Sequence, residues 1–71
     1  MYYDLIESGK RIKKLRLQHG LTQEALADKV NVHVNSIGRI ETGKKGISVD
    51  LAIELKVLFS TTLDYIYLGV D

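Results

Sequence analysis

Cysteine and proline are absent from this 71-residue chain, and histidine occurs only twice. The absence of cysteine excludes a disulfide framework, a thiolate metal site and a cysteine nucleophile. His19 and His33 are not accompanied by a carboxylate cluster at metal-ligand spacing, so we predict neither a metal nor another cofactor. Without proline, and with six dispersed glycines, the chain suits helices joined by short connections.

Long apolar runs are missing as well. No segment approaches the ~18–20 consecutive apolar residues that span a membrane. The start of the chain, Met1–Asp4, lacks the basic and then apolar layout of a secretory signal. We therefore expect a protein of the reducing cytoplasm that does not bind membranes.

The length limits the chain to a single domain, predicted over residues 1–71. A chain this short barely stabilises one core, which argues against a large buried catalytic pocket. No nucleophile–base pair and no phosphate-binding glycine loop stands out among its residues. The sequence therefore predicts a protein that is not an enzyme.

The net charge of +1 conceals a strong asymmetry. Residues 8–45 carry nine basic and three acidic residues, whereas residues 46–71 carry one basic and four acidic residues. This division indicates one part that faces a polyanion and a second part that is more apolar and acidic. Charge alone does not separate this interpretation from an ordinary solvated face on one helix.

Apolar residues recur at steps of three and four in five segments, and no segment alternates with the period of a strand. The predicted helices span residues 4–19, 22–30, 33–41, 49–59 and 63–68. Thr22, Ser48 and Thr62 are suitable N-caps for three of them. Asn31 tolerates the left-handed conformation that ends a helix sharply. The residues expected to face the core are Leu5, Ser8, Ile12 and Leu15 of the first helix and Val49, Ala52, Leu55 and Phe59 of the fourth.

Residues 22–41 have the layout of a DNA-binding helix-turn-helix, in which the second helix lies in the major groove. The small side chain of Ala27 lets the two helices cross closely. The residues expected to bury their inner faces are Leu26, Val30, Val32, Ile37 and Ile40.

The string LTQEALADKVNVHVNSIGRIETGK, Leu21–Lys44, resembles the helix-turn-helix of the phage-repressor and Cro family, also called the xenobiotic-response-element family. Its flanks, Ile12–Gly20 and Ile47–Ile66, fit the same pattern, so the resemblance covers nearly the whole chain. It implies an all-α, five-helix domain of the lambda-repressor-like type. It also implies a bacterial or phage-encoded regulator of transcription, a repressor bound to DNA in the nucleoid.

The resemblance also implies roles for individual residues. The positions from which relatives read base edges are held by His33, Val34, Asn35 and Arg39. The positions at or beside phosphate contacts are held by Thr22, Gln23, Ser36, Thr42, Lys44 and Lys45. Arg16 and Glu41 match a charge pair that ties the first helix to the end of the third, and we expect that pair to be partly buried. The chemistry suits these roles, because Arg39 can hold guanine and Asn35 can hold adenine with two hydrogen bonds each.

The chain departs from the family pattern at several positions. Relatives commonly have glycine at Asn31, serine or threonine at His33, and often proline at Ile47 and alanine at Lys56. Gly38 is unusual because a glycine inside a helix costs about 0.5–1 kcal/mol relative to alanine. Either something approaches the backbone closely at Gly38, or the position merely tolerates it.

Apolar residues outside the predicted core form a candidate homodimer face. Its members are Leu51, Val57, Leu58, Tyr65, Tyr67, Leu68 and Val70. A dimer would read an inverted repeat with half-sites about 34–36 Å apart. The alternative is a protein-interaction module with the same fold, such as an antitoxin or a transcription scaffold. The presence of Gln23 and Arg39 favours the DNA-binding interpretation.

Overall fold

The computed structural model describes residues 2–70, which form five α-helices and no strand. The helices are α1 (Leu5–Gln18), α2 (Gln23–Lys29), α3 (Val34–Glu41), α4 (Val49–Phe59) and α5 (Leu63–Leu68). Each predicted helix is present, with bounds that differ by at most one residue. Met1 and Asp71, the ends of the predicted domain, lie outside the described residues.

Each helix begins at a side chain that accepts a hydrogen bond from a backbone N–H of the first turn. The predicted caps Thr22, Ser48 and Thr62 are confirmed, with N···O distances of 3.0–3.2 Å. Asp4 caps α1, and the imidazole of His33 caps α3. These bonds satisfy donors that the helix itself leaves unpaired, so they fix where each helix starts.

One core is shared by all five helices. Its fully buried members include one or two residues from each helix: Ile12, Leu26, Ile37, Ile40, Leu55 and Ile66. Among the residues predicted to face inward from α1, Ser8, Ile12 and Leu15 are buried, whereas Leu5 is 38% exposed. The prediction for Leu5 is wrong because it is the first residue of α1, beyond the part of the helix that packs against α3.

The buried face of α4 differs from the predicted one. Val49 is 63% exposed, and Leu51 is buried together with Ala52, Leu55 and Phe59. At 100° per residue the buried stripe is centred between Leu51 and Ala52, which turns Val49 to the side. Leu51 therefore belongs to the core, and its assignment to the candidate homodimer face is wrong.

Gly9 allows α1 and α3 to cross at very short range, a role that the sequence did not reveal. A Cβ atom on Gly9 would lie 2.1 Å from the carbonyl oxygen of Ile40 and 3.1 Å from the carbonyl carbon of Glu41. Those atoms belong to backbone and cannot move aside as a flexible side chain would. The glycine thus sets the position of the C-terminal end of α3.

We predict that Gly9→Ala lowers the free energy of unfolding by about 3 kcal/mol, because the new methyl group meets backbone in a packed core. Gly38→Ala is the matched control, since its Cβ would meet only the side-chain oxygen of Gln23 at 3.8 Å. That control should raise the free energy of unfolding by about 0.5–1 kcal/mol. Urea denaturation measures both, and equal effects would contradict the close crossing at Gly9.

Candidate nucleic-acid interface

α2, the turn at Asn31 and α3 form the predicted helix-turn-helix. Asn31 has a φ of 55°, and the next residue, Val32, donates its N–H to the carbonyl of Ala27 at 3.0 Å. This pair of features ends α2 within one residue and redirects the chain into α3. Ala27 is buried where the helices meet, as predicted. The turn therefore fixes the angle between the two helices without any glycine.

α3 places two polar side chains on its solvent side. Asn35 and Arg39 are exposed, whereas Ile37 and Ile40 on the opposite side are buried in the core. Asn35 and Arg39 are four residues apart and therefore lie on one face of the helix. Val34 is half-buried and packs against the core, so only part of its side chain faces outward. His33 is exposed at the start of the same helix.

The candidate phosphate-contact residues of α2 lie at its N-terminal end. Thr22 accepts a hydrogen bond from Ala25 N–H at 3.0 Å, and Gln23 is the first residue of the helix. The Gln23 amide donates to Glu41 Oε1 at 3.1 Å. This bond uses one of its two N–H groups, which leaves the second N–H for an acceptor outside the chain.

A second group of candidate phosphate-contact residues surrounds the end of α3. Lys45 Nζ donates to Ser36 Oγ at 3.2 Å, and Lys44 is exposed. The Lys44 N–H bonds to the Arg39 carbonyl at 2.9 Å across Gly43, whose φ is 77°. Thr42 donates its hydroxyl to the Gly38 carbonyl at 3.0 Å. The two lysines are thus held beside the helix that carries Asn35 and Arg39.

Two tyrosines hold the segment that follows these lysines. The N–H of Ile47 donates to the hydroxyl of Tyr3 at 2.6 Å, and the Tyr67 hydroxyl donates to the carbonyl of Ile47 at 2.9 Å. The two rings also meet edge to face, with centroids 4.9 Å apart. Burial, followed by the proximity of Tyr3, raises the pKa of Tyr67 and keeps its hydroxyl neutral. One hint of this contact lies in the sequence, because the family resemblance implies proline at position 47, whereas Ile47 has an N–H that can donate.

The predicted ion pair between Arg16 and Glu41 is present and buried. Arg16 Nε lies 2.6 Å from Glu41 Oε2, and a second guanidinium N–H reaches Oε1 at 3.0 Å. The third nitrogen donates to the Leu21 carbonyl at 2.9 Å. The side chains are only 8% and 2% exposed. The hydrogen bonds to Glu41 raise the pKa of Arg16, although desolvation acts in the opposite direction.

We predict that Arg16→Ala lowers the free energy of unfolding by about 3 kcal/mol, because Glu41 would keep a buried charge without its partner. Lys10→Ala is the matched control, since Lys10 pairs with Glu7 at 3.2 Å on the exposed side of the same helix. The control should change stability by less than about 0.5 kcal/mol. Thermal or urea denaturation measures the stability of both variants. An Arg16→Ala variant with the stability of the wild type would contradict the structural role of the pair.

The remaining members of the candidate homodimer face differ in exposure. Val57 is 72% exposed, whereas Leu58, Tyr65 and Tyr67 are half-buried and pack against the core. Leu68 and Val70 are also half-buried. Along α4, the exposed apolar residues are Val49, Ile53 and Val57, which recur every four residues. This exposed row on α4, Val49–Ile53–Val57, shares Val57 with the candidate homodimer face and extends it by Val49 and Ile53, which the sequence did not place there.

No group of three or more histidine, cysteine, aspartate or glutamate side chains in residues 2–70 has the arrangement of a metal site. Within the same range, no helix combines the length and apolar character needed to cross a bilayer.

A family model described as Helix-turn-helix (HTH_3) matches residues 12–66. Among curated proteins, the HTH-type transcriptional regulator ImmR of Bacillus subtilis is 33% identical over 63 residues. That match covers 89% of this chain and 49% of ImmR. The chain therefore spans about half the length of this relative.

Two solved structures are similar over almost the entire fold. The restriction-modification controller protein C.AhdI of Aeromonas hydrophila superimposes with a TM-score of 0.81 and 26% identity, covering 90% of this chain and 97% of C.AhdI. The P22 c2 repressor, solved in complex with a synthetic operator, gives a TM-score of 0.84 and 24% identity, covering 89% of this chain and 96% of the repressor. At 24% identity, the similarity to the P22 c2 repressor shows a shared fold only.

Proposed function

We propose, from the premise that this chain belongs to the helix-turn-helix (HTH_3) family of DNA-binding transcriptional regulators, that it is a homodimeric repressor that reads the major groove with α3. Family membership confirms the predicted class of protein, a helix-turn-helix regulator of transcription. The lambda-repressor-like, five-helix fold is likewise confirmed by the two structural likenesses.

The observation that carries the proposal is the division of α3 into two faces. Ile37 and Ile40 hold one face in the core, and Asn35 and Arg39 project from the other. A guanidinium pairs with guanine O6 and N7, and a carboxamide pairs with adenine N6 and N7. The half-buried Val34 offers a smaller apolar contact to a thymine methyl group. We therefore assign base reading to this face.

Phosphate contacts would come from both sides of α3. On one side, Gln23 has a spare N–H at the N-terminus of α2, beside the cap residue Thr22. On the other side, Lys44 and Lys45 follow the C-terminal end of α3, with Ser36 joined to Lys45. Thr42 would have to rotate its hydroxyl away from the Gly38 carbonyl to donate to a phosphate. Such contacts fix the position and register of the protein, while base contacts select the sequence.

In vitro selection from a random pool of duplex DNA tests the proposal directly. Enrichment of one motif would support sequence-specific binding, and two inverted copies about 34–36 Å apart would support a dimer. Failure to enrich any duplex at low salt, where phosphate contacts are strongest, would overturn the DNA-binding function.

We predict different effects for two basic residues. Arg39→Ala should weaken binding to the selected site by about 1–3 kcal/mol and relax the preference at one base pair. Lys44→Ala should weaken binding to all sequences and reduce the slope of log affinity against log salt by about one unit. Titrations against the selected site and single-base variants at several salt concentrations measure both. Equal, sequence-independent losses would contradict the assigned role of Arg39.

The homodimer is proposed from the apolar surface of the C-terminal helices. Val57 belongs both to the exposed row on α4 and to the candidate homodimer face left after removal of Leu51. Asp50 and Glu54 on the same helix are exposed and outnumber its one exposed lysine, Lys56, which gives this side a slight acidic bias. Like charge with phosphate keeps the acidic side away from DNA, which leaves it free to meet a second copy.

We predict that the wild-type chain sediments as a dimer at high micromolar concentration and that Val57→Glu shifts it toward the monomer, because a carboxylate would be buried in an apolar contact. Leu17→Glu is the control, since Leu17 is similarly exposed but lies on α1. Analytical ultracentrifugation gives the masses. A monomeric wild type, or equal effects of both variants, would contradict this interface.

A further inference from the structure

His33 holds the start of α3 through one particular ring nitrogen. The backbone N–H of Asn35 donates to His33 Nδ1 at 3.1 Å, while the ring as a whole is exposed. A ring nitrogen that accepts a hydrogen bond carries no proton. The cap therefore requires a neutral imidazole, and the single N–H of that imidazole must be on Nε2.

The cap also restricts the orientation of the ring, since Nδ1 must remain near the Asn35 amide. Nε2 is the outer nitrogen of the side chain, and no residue in the range 2–70 accepts a hydrogen bond from it. The Nε2–H group is consequently a fixed donor at the beginning of the helix that carries Asn35 and Arg39. A serine or threonine cap at this position has a hydroxyl much closer to the backbone and with a shorter reach.

We propose that His33 is a specificity-determining residue whose cap fixes its tautomer, so that Nε2 donates to a hydrogen-bond acceptor on DNA. The inference rests on the proposed function and adds the chemical class of the contacted group. Acceptors of this class are purine N7, guanine O6 and phosphate oxygen. A donor in this position is complementary to them and would be left unpaired opposite the cytosine or adenine amino group.

The residues around His33 favour a base edge over a phosphate as the group that accepts from Nε2. The ring borders a shallow hollow that is also lined by Glu24 and Asp28 of α2 and by Val32 and Val34. Glu24 and Asp28 are exposed carboxylates. Their negative charge repels a charged phosphate more strongly than the partial charges of a neutral base edge. We therefore place the contact on a purine N7 or guanine O6.

The tautomer is testable in the free protein. Long-range ¹H–¹⁵N NMR correlations should show an unprotonated Nδ1 and a protonated Nε2 for His33 at neutral pH. His19 serves as an internal comparison, because its Nδ1 lies 2.9 Å from the Leu15 carbonyl, an acceptor, so that its Nδ1 should carry the proton. A proton on Nδ1 of His33 would overturn the proposal before any DNA is added.

The contact is tested with His33→Ser, which keeps a good N-cap but lacks the reach of Nε2. We expect an unchanged melting temperature and a loss of about 3- to 10-fold in affinity for the selected site, the range for one hydrogen bond. Chemical synthesis of the 71-residue chain with Nτ-methylhistidine at position 33 provides a second variant, which retains Nδ1 as acceptor and removes the Nε2 proton. The Nτ-methylhistidine variant should lose affinity for the selected site to the same extent as His33→Ser.

His33→Ala removes the cap as well as the Nε2 donor, so it should lower both the melting temperature and the affinity for the selected site.

Modified duplexes identify the acceptor. Replacing the contacted purine by its 7-deaza analogue, which lacks N7, or a contacted guanine by 2-aminopurine, which lacks O6, should weaken binding of the wild type and leave His33→Ser unaffected in one of the two cases. If a neutral methylphosphonate linkage produces that pattern instead, the acceptor is a phosphate, and the assignment of His33 as a specificity-determining residue is overturned. Equal affinities of wild type and His33→Ser for the selected site would overturn the inference alone. A wild type that selects no DNA would overturn the proposed function, which keeps the two failures distinguishable.

Discussion

The arrangement of the first three helices depends on the buried ion pair between Arg16 and Glu41. Arg16 joins the end of α1 to the end of α3 and to the Leu21 carbonyl in the connection before α2. Glu41 also accepts from Gln23 at the start of α2. The two hydrogen bonds of the pair are satisfied in only a narrow range of mutual orientations of the helices, while desolvation offsets part of the attraction between the charges. The same carboxylate thereby links a candidate phosphate contact to the helix proposed to read bases.

α3 has only eight residues, and an isolated helix of this length is unstable in water. Its conformation must therefore come from restraints at its back and at its two ends. The imidazole of His33 fixes the first turn, the bonds across Gly43 fix the last, and Gly9 lets α1 press against the Ile40 carbonyl. A short helix held in this way keeps its outward side chains in a fixed register without using that outward face for stability.

Local signals in the sequence were sufficient to predict the helices, because caps and left-handed residues act over a few positions. Thr22, Asn31 and Ser48 are examples, and the buried back of α3 followed from its spacing. Which face of α4 is buried could not be predicted, since apolar residues lie on most sides of this helix. The crossing at Gly9 depends on a partner more than thirty residues away, which no local pattern encodes. The exact positions of the side-chain donors at the candidate interface were unpredictable for the same reason.

Ile47 shows how one departure from the family pattern changes what holds the loop that carries Lys44 and Lys45. Proline at this position would restrict the backbone by itself but would have no N–H. Ile47 has that N–H, and Tyr3 accepts from it while Tyr67 donates to its carbonyl. The loop with Lys44 and Lys45 is therefore followed by a residue that side chains from both ends of the described chain hold in place. Tyr67 is also part of the candidate homodimer face, so packing of a second copy there would act on the same hydrogen bond and, through it, on the position of the basic loop.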